Sequence, residues 1–367
     1  MNRSDEVEAK LRRVRAWLDD QPYDGVLLGT QTGFAWITAG GDNHVLLGEA
    51  AGVASVLVTP GGAWVLSDNI EHPRMVAEEI GDLPFETVQW PWAENGRVAD
   101  VVSVLGGRVV SDGAAAGLPV AEGLSALRRT LLPPEVDRFR ALGSDLATAL
   151  EDACHQARPG DREMEVSAVL ALACRRAGIL DLVNLVAADG RIAAYRHPVP
   201  TKKRVEGTLL VVALGRRHGL HASASRMVAF DPPDDDLLAR HRSVTRVDAR
   251  LILESRPGRT LGQVLGAGVE QYAEDGFADE WLLHHQGGLT GYAGREVVAV
   301  PGSPQVLEAD QVVAWNPSIT RVKSEDTVLV TDHGPEVLTR TPSWPQEEVT
   351  LAAGTVSRPA LLRSRFR

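Results

Sequence analysis

The second half of this 367-residue chain contains an internal repeat, and this repeat constrains the fold more than any other feature. An Arg-Pro-Gly tripeptide at 158–160 opens a helical segment that ends at Gly178, and a second at 256–258 opens a segment that ends at Gly276. In both copies the two glycines are 18 residues apart. Such tripeptides are common at helix boundaries, but the equal spacing favours a duplicated unit over coincidence.

Each copy of the repeat continues in the same way, with a loop that carries histidine and then an apolar strand. The first strand, TLLVVALG, follows Glu206 and Gly207, and the second, QVVAWNP, follows Glu308 to Asp310. The sequence therefore predicts two similar α/β halves that face each other, with a pocket at their junction where polar groups from both converge.

The region before the repeat predicts a small α/β domain. Residues 5–20 have helical periodicity, and short apolar runs bounded by turn residues follow. Pro133 and Pro134 then mark a boundary and the start of a long amphipathic helix that ends before Pro159. We therefore expect an amino-terminal domain at 1–130, a second domain at 133–350 and a carboxy-terminal tail at 351–367.

Charge and composition exclude several partners. The chain carries 38 basic and 49 acidic residues, a formal charge of −11, which argues against nucleic acid and anionic membranes as partners. Its two cysteines, Cys154 and Cys174, imply neither a disulfide framework nor a cysteine metal cluster. The first 13 residues are charged, and no apolar run reaches 18 residues, so we expect a cytoplasmic protein.

Five stretches of the chain carry a family resemblance. They are RHPVP at 196–200, GLHASASR at 219–226, HHQGGLTGYAGRE at 284–296, AWNPSI at 314–319 and KSEDTVLVT at 323–331. Their order and spacing resemble the pita-bread fold shared by creatinase, prolidase, aminopeptidase P and methionine aminopeptidase. The resemblance implies an α+β protein, with a creatinase-type α/β domain at 1–130 and a pita-bread domain of two pseudo-symmetric halves at 133–350.

The metalloenzymes of this family bind two metal ions through two Asp, one His and two Glu, and three of those carboxylates have no counterpart here. The first Asp position holds Val212 or Ala213, the second holds Ser223, and the first Glu position holds Asn316. A shifted alignment does not restore the aspartates, because the segment 207–230 contains no Asp or Glu. The histidine ligand matches His284 or His285, and the last Glu matches Glu325.

The missing carboxylates predict a metal-free domain without a cofactor. Divalent ions need anionic oxygens, and bridging carboxylates hold a dinuclear pair together. A single site made from His284, His285 and Glu325 is disfavoured, since adjacent side chains on an extended strand point apart. We expect one of the two imidazoles to face the pocket, with a preference for His285.

Creatinase is the metal-free member of the family, and two segments resemble it. GYAGREVV at 291–298 is similar to the segment after creatinase's second active-site histidine, and His197 lies where creatinase keeps its catalytic histidine. Creatinase also keeps carboxylates at the Asn316 position and near Ser225 to hold a guanidinium. Both residues are neutral here, which disfavours creatine as the substrate.

The candidate site residues follow from the resemblance and from their chemistry. His197 would act as general base, His285 would polarise or orient the reacting group, and Glu325 would supply a compensating charge. Arg295 would hold a substrate carboxylate or brace its loop, and Asn316 would be a neutral anchor. The full set of expected substrate-binding residues is His221, Ser223, Arg226, His284, Tyr292, Arg295 and Asn316.

The sequence thus predicts a metal-independent enzyme of creatinase and prolidase character. It would hydrolyse a C–N bond in a small polar amide, amidine or amino-acid-like compound, and the resemblance implies a homodimer. Three alternatives stay open: a metal-dependent Xaa-Pro dipeptidase or aminopeptidase, a lyase or isomerase, and a non-catalytic binding relative on the same fold.

Overall fold

The structure, a computed structural model, describes residues 1–94, 97–113, 118, 120–121 and 123–364. The chain divides into two units: residues 1–136 with 218–220, and residues 137–217 with 221–367. Among the described residues, we find no helix with both the length and the apolar composition of a membrane span.

The first unit is built on a five-stranded mixed sheet. Its strands are β1 (Gly25–Thr30), β2 (Ala51–Val58), β3 (Ala63–Asp68), β4 (Glu86–Trp90) and β5 (Val109–Ser111), in the order β4-β3-β2-β1-β5. Its α-helices are α1 (Arg3–Asp19), α2 (Gln31–Ile37), α3 (His72–Arg74) and α4 (Arg97–Gly106), with a π-helix at Met75–Ile80 and a 3₁₀-helix at Leu124–Arg128. Strands β2 and β3 pair as the antiparallel hairpin that the turn at 60–62 predicts.

The second unit contains the repeat. Its helices are α5 (Pro133–Gln156, whose first turn lies in the first unit), α6 (Glu163–Arg176), α7 (Gly190–Ala194), α8 (Asp235–Glu254), α9 (Leu261–Glu274) and a 3₁₀-helix at Glu280–Leu283. Its first seven strands are β6 (Leu180–Ala188), β7 (Thr208–Arg217), β8 (Leu220–Ala229), β9 (Gly287–Thr290), β10 (Val297–Val298), β11 (Val312–Trp315) and β12 (Ser318–Ile319). The remaining six are β13 (Val322–Lys323), β14 (Asp326–Leu329), β15 (Glu336–Val337), β16 (Gln346–Leu351), β17 (Gly354–Pro359) and β18 (Leu362–Arg363).

The two halves of this unit have the same layout, as the repeat predicts. Helix α6 is followed by β6, β7 and β8, which lie in the sheet β18-β8-β7-β6. Helix α9 is followed by β9, β11 and β14, which lie in the sheet β10-β9-β11-β14-β15. The prediction of a mixed α/β domain with two similar halves is therefore confirmed.

Backbone hydrogen bonds show that the resemblance between the halves is structural. In the first half Gly160 donates to the carbonyl of Val205, and in the second Gly258 donates to that of Leu307, at 2.8 and 2.9 Å. At the helix ends, Gly178 and Gly276 have φ values of 69° and 86°. An L-residue with a side chain rarely adopts this conformation, so glycine ends both helices at the same point.

The segment after residue 350 is integrated into the second unit. Strands β16 and β17 form an antiparallel hairpin, and β18 pairs in parallel with β8. Residues 365–367 of the expected tail lie outside the described residues. The hairpin matters to the core because it carries the buried Arg358.

Arg358 joins three elements of the second unit through buried ion pairs. Its guanidinium contacts Asp248 on α8 and Asp326 on β14, and all three side chains are almost completely buried. Asp326 also pairs with Arg226 at 3.1 Å, and Arg226 donates to the carbonyl of Thr339 at 2.6 Å. Removing one partner of such a network leaves a buried charge unpaired.

We therefore expect Arg358→Met to lower the free energy of unfolding of the second unit by about 3–5 kcal/mol. Arg162→Met is the matched control, because the half-exposed Arg162 lies 3.9 Å from an exposed Glu165. Its loss should be below about 1 kcal/mol. Urea unfolding followed by circular dichroism measures both variants, and equal losses would contradict the structural role of Arg358.

Candidate active site

A cavity of about 170 Å³ lies in the second unit. Its apolar wall comes from the neighbouring strands β6 and β7 of the first half, and its polar residues come mainly from the second half. The apolar wall consists of Val183, Leu185, Val212, Ala213 and Leu214. The polar lining includes His197, His285, Arg295, Asn316, Lys323 and Glu325. Five of these six side chains were expected at the site, and the sequence analysis did not include Lys323.

Strand pairing between the two halves positions Glu325. The backbone N–H of Ser225, on β8, donates to the carbonyl of Glu325 at 3.0 Å, which forms an antiparallel bridge just before β14. Next to it, the hydroxyl of Thr327 donates to the carbonyl of Ser223 at 2.9 Å. The hydrogen bonds fix the strand end that carries Glu325 against the first half.

Three imidazoles meet at one edge of the cavity. The Nε2 atoms of His197 and His284 are 3.1 Å apart, and the ring centroids of His284 and His285 are 4.8 Å apart. The expectation that adjacent histidines point apart is wrong here. Strand β9 begins only at Gly287, and the two histidines lie in the irregular segment between the 3₁₀-helix at Glu280–Leu283 and that strand. His285 lines the cavity, whereas His284 is buried beside it.

The contacts of His284 determine which of its nitrogens carries the proton. The Asn316 side-chain N–H points to Nε2 of His284 at 3.5 Å, so this nitrogen is the acceptor. The other nitrogen, Nδ1, lies 3.3 Å from the hydroxyl of Ser318, which also accepts from Arg196. His284 is therefore assigned as the tautomer that donates to Ser318 and presents a lone pair towards His197.

All three imidazoles are neutral at pH 7. Burial, with a smaller effect of the Lys323 charge, lowers the pKa of His284 to about 2. Burial, followed by the charge of Arg295, lowers the pKa of His285 to about 4. The pKa of His197 is also lowered, first by burial and then by Lys323. Each ring therefore has one nitrogen lone pair available at neutral pH.

The charged groups of the cavity carry a net positive charge. Lys323 pairs with Glu325 at 2.9 Å, and the Arg295 guanidinium lies 4.0 Å from the same carboxylate. One carboxylate thus faces two cations. Arg295 donates to the carbonyl of Gly294 at 2.6 Å, but its buried Nε has no hydrogen-bond partner. An anionic ligand would complete the hydrogen bonding of this guanidinium.

Five of the expected substrate-binding residues do not line the cavity. They are His284, which is buried beside it, and His221, Ser223, Arg226 and Tyr292. The Nδ1 atom of His221 lies 3.3 Å from the carbonyl of Gly291, and Tyr292 is fully buried. Ser223 makes the contacts to Thr327 described above, and its own hydroxyl is buried without a hydrogen-bond partner. Arg226, on strand β8, belongs to the buried ion-pair network. Its partners are distant in the sequence, so the sequence did not reveal this role.

Comparison with known proteins identifies the family. The fold is the pita-bread fold of prolidases, and the matched region includes the histidines and Glu325. A sequence model described as Metallopeptidase family M24 matches residues 137–332, more than half of the chain. The chain therefore belongs to metallopeptidase family M24.

Several of the similar proteins are dipeptidases by name. A Xaa-Pro dipeptidase of Pyrococcus furiosus is 27% identical over 202 residues, which cover 53% of this chain and 58% of that protein. The matched part thus spans little more than half of that relative. The Xaa-Pro dipeptidase structure from Bacillus anthracis has a TM-score of 0.76 and 20% identity, covering 98% of this chain and 100% of the other. A prolidase from Pyrococcus horikoshii has a TM-score of 0.78 and 18% identity, covering 91% and 98%.

The residues at the family's metal positions do not fit a carboxylate-bridged pair of ions. Val212 and Ala213 present hydrocarbon to the cavity, and Asn316 presents a neutral amide. The remaining carboxylate, Glu325, already pairs with Lys323. A dinuclear centre requires several anionic oxygens to offset the charge of two ions, and this cavity offers one. No reaction step is therefore assigned to such a centre.

Two glycines allow the strands of the site to approach closely. Gly287 and Gly288 on β9 have φ values of 117° and 148°. A methyl group on Gly288 would clash with the backbone carbonyl of Val297, and one on Gly287 with that of Ala314. We expect Gly288→Ala to lower stability by at least about 1–3 kcal/mol, because strain and steric overlap add.

The control for this substitution is Gly266→Ala. Gly266 lies within α9, and a methyl group there meets nothing within 4 Å. This variant should gain about 0.5–1 kcal/mol from better helix propensity. Thermal unfolding of both variants tests the pair, and a stable Gly288→Ala protein would show that the close approach at β9 is not required.

Proposed function

We propose that this protein hydrolyses a C–N bond in a small substrate that carries a carboxylate, with His197 as general base and without a dinuclear metal centre. The observation that carries the proposal is the cavity itself, which two imidazoles, His197 and His285, share with the buried Lys323 and the partly buried Arg295. The family supports hydrolysis of a C–N bond, since its named relatives cleave peptide bonds.

The substrate class follows from charge and size. Arg295 and Lys323 exceed Glu325 by one positive charge, which favours a monoanion. A guanidinium with unused N–H donors binds a carboxylate through charge-assisted hydrogen bonds. The volume of about 170 Å³ corresponds to about six water molecules at ~30 Å³ each, which suits an amino-acid-sized group.

In the proposed mechanism, Arg295 holds the carboxylate while neutral His197 takes a proton from water. The resulting hydroxide adds to the carbonyl carbon, and a neutral His285 donates a hydrogen bond to the oxygen that gains charge. The C–N bond then breaks, and protonated His197 returns the proton to the leaving nitrogen. Water and amide are consumed and a carboxylic acid and an amine are formed, so atoms and protons balance.

A second candidate is a metal-dependent Xaa-Pro dipeptidase, which the names of the relatives favour. The other two alternatives, a lyase or isomerase and a non-catalytic binding protein, would use the same cavity. The first two differ in their dependence on metal, and the products distinguish hydrolysis from elimination.

The first experiment assays metal-stripped protein against N-acyl amino acids, small carboxylate-bearing amides and Xaa-Pro dipeptides, in chelator and after addition of Mn²⁺ or Co²⁺. We expect hydrolysis of a small substrate to persist in chelator, since the proposed mechanism uses only side chains. Cleavage of Xaa-Pro dipeptides only after metal addition would overturn this proposal in favour of the second candidate.

The second experiment uses the substrate found in the first and distinguishes the role of His197 as a base from the role of Arg295 as an anchor for the carboxylate. His197→Gln should lower kcat by about 10²–10⁴ with little change in KM, because only proton transfer is lost. Arg295→Met should raise KM instead, because ground-state binding of the carboxylate is weakened. His333→Gln, at an exposed histidine of the same unit, is the control. An unchanged kcat in His197→Gln would contradict the base assignment.

A further inference from the structure

The histidine cluster has a property that the proposed hydrolysis does not use. One nitrogen from each of His197, His284 and His285 can be chosen so that all three lie within 4.8 Å of one another. Two of the three residues, His197 and His285, are only partly covered by the protein, so an ion from solution can reach them. No carboxylate belongs to this group of atoms among the described residues.

These separations suit coordination of one ion by nitrogen. A zinc ion with Zn–N bonds of ~2.0–2.1 Å in tetrahedral geometry places its ligands about 3.3 Å from one another. The Nε2 atoms of His197 and His284 are already 3.1 Å apart. The remaining separations are at most 4.8 Å, so the third nitrogen must approach by up to about 1.5 Å for tetrahedral coordination.

The surroundings of His284 resemble those of a metal ligand in proteins. Its Nδ1–H donates to Ser318, which orients the ring and leaves the Nε2 lone pair directed at His197. Metal-binding histidines commonly have their second nitrogen fixed by such a hydrogen bond. Ser318 is in turn held by Arg196 at 3.2 Å, so the orientation of the ring is set before any ion binds.

We propose that His197, His284 and His285 bind a single transition-metal ion of the zinc type, in a mononuclear site that differs from the carboxylate-bridged centre of the family. Neutral imidazoles select Zn²⁺, Co²⁺ and Ni²⁺ over Mg²⁺ and Ca²⁺, which need oxygen ligands. Three histidines fill three of the four positions of a tetrahedral ion, which leaves one position for water or another ligand.

Nearby charges set the affinity of this site. Lys323 and Arg295 oppose a divalent ion, and Glu325 offsets one of them. Lys323→Met removes a cation and frees Glu325 from its ion pair, so metal binding should become at least tenfold tighter. The same substitution would weaken an anion site.

Metal binding also has a consequence for catalysis, and this consequence rests on the proposed function. A bound ion occupies the lone pair with which His197 would act as a base. Zn²⁺ should therefore inhibit hydrolysis by the metal-free protein, and chelator should restore it. Binding itself does not depend on the proposed reaction.

The test titrates metal-stripped protein with Co²⁺ and measures visible absorption, then measures zinc per chain by elemental analysis after Zn²⁺ loading and desalting. We expect about one ion per chain and the intense visible bands of tetrahedral cobalt. His197→Ala and His285→Ala, both at residues that the protein only partly covers, should each weaken binding at least tenfold, and His333→Ala should not. Circular dichroism verifies the fold of each variant.

Several results would overturn the site: no bound ion, two ions per chain, or an unchanged cobalt spectrum in His285→Ala. Weaker rather than tighter binding in Lys323→Met would overturn it as well. The two proposals fail independently. Metal binding without any hydrolysis would support the site and refute the proposed function, whereas chelator-resistant hydrolysis without metal binding would do the reverse.

Discussion

The site depends on the contact between the two halves of the second unit, where strand β8 meets the segment that begins β14. The backbone of Ser225 pairs with that of Glu325, and the neighbouring Asp326 is held by Arg226 and Arg358. Side chains alternate along a strand, so Glu325 faces the cavity while Asp326 faces the buried ion pairs. One short segment therefore serves both the chemistry of the site and the joining of its walls.

The chain keeps the scaffold of metallopeptidase family M24 and changes the electrostatics of its cavity. Where bridging carboxylates would make a site negative, this cavity has hydrocarbon at Val212 and Ala213 and an amide at Asn316. The buried Lys323 and the partly buried Arg295 then make it positive. Burial is the main cause of the lowered pKa of the nearby imidazoles, and these cations add to it because they oppose protonation.

Much of the fold was predictable because it rests on local signals. The Arg-Pro-Gly turns and helix-ending glycines set the boundaries of the repeated helices, and apolar runs bounded by turns located β1, β2, β3 and β7. Strand β4 was missed because its exposed, mixed sequence has no continuous apolar run. Helix α4 was also missed, although its valines and Leu105 lie at helical spacing. Residues after 350 were treated as a tail because short strands such as β18 gain their stability only from pairing with distant partners.

The sequence alone determined the doubled architecture, the loss of three family carboxylates and the residues His197, His285, Arg295, Asn316 and Glu325, which line one cavity. The doubled architecture follows from the spacing of the repeat, and the carboxylate positions and site residues follow from the resemblance to the family. The tertiary structure decided the rest: that Arg226 serves the buried ion pairs, that Lys323 neutralises Glu325, and that both adjacent histidines gather around His197. The reason is physical, because the irregular segment before β9 and the long-range pairing of β8 with the start of β14 set these contacts, and neither leaves a periodic signal in the sequence.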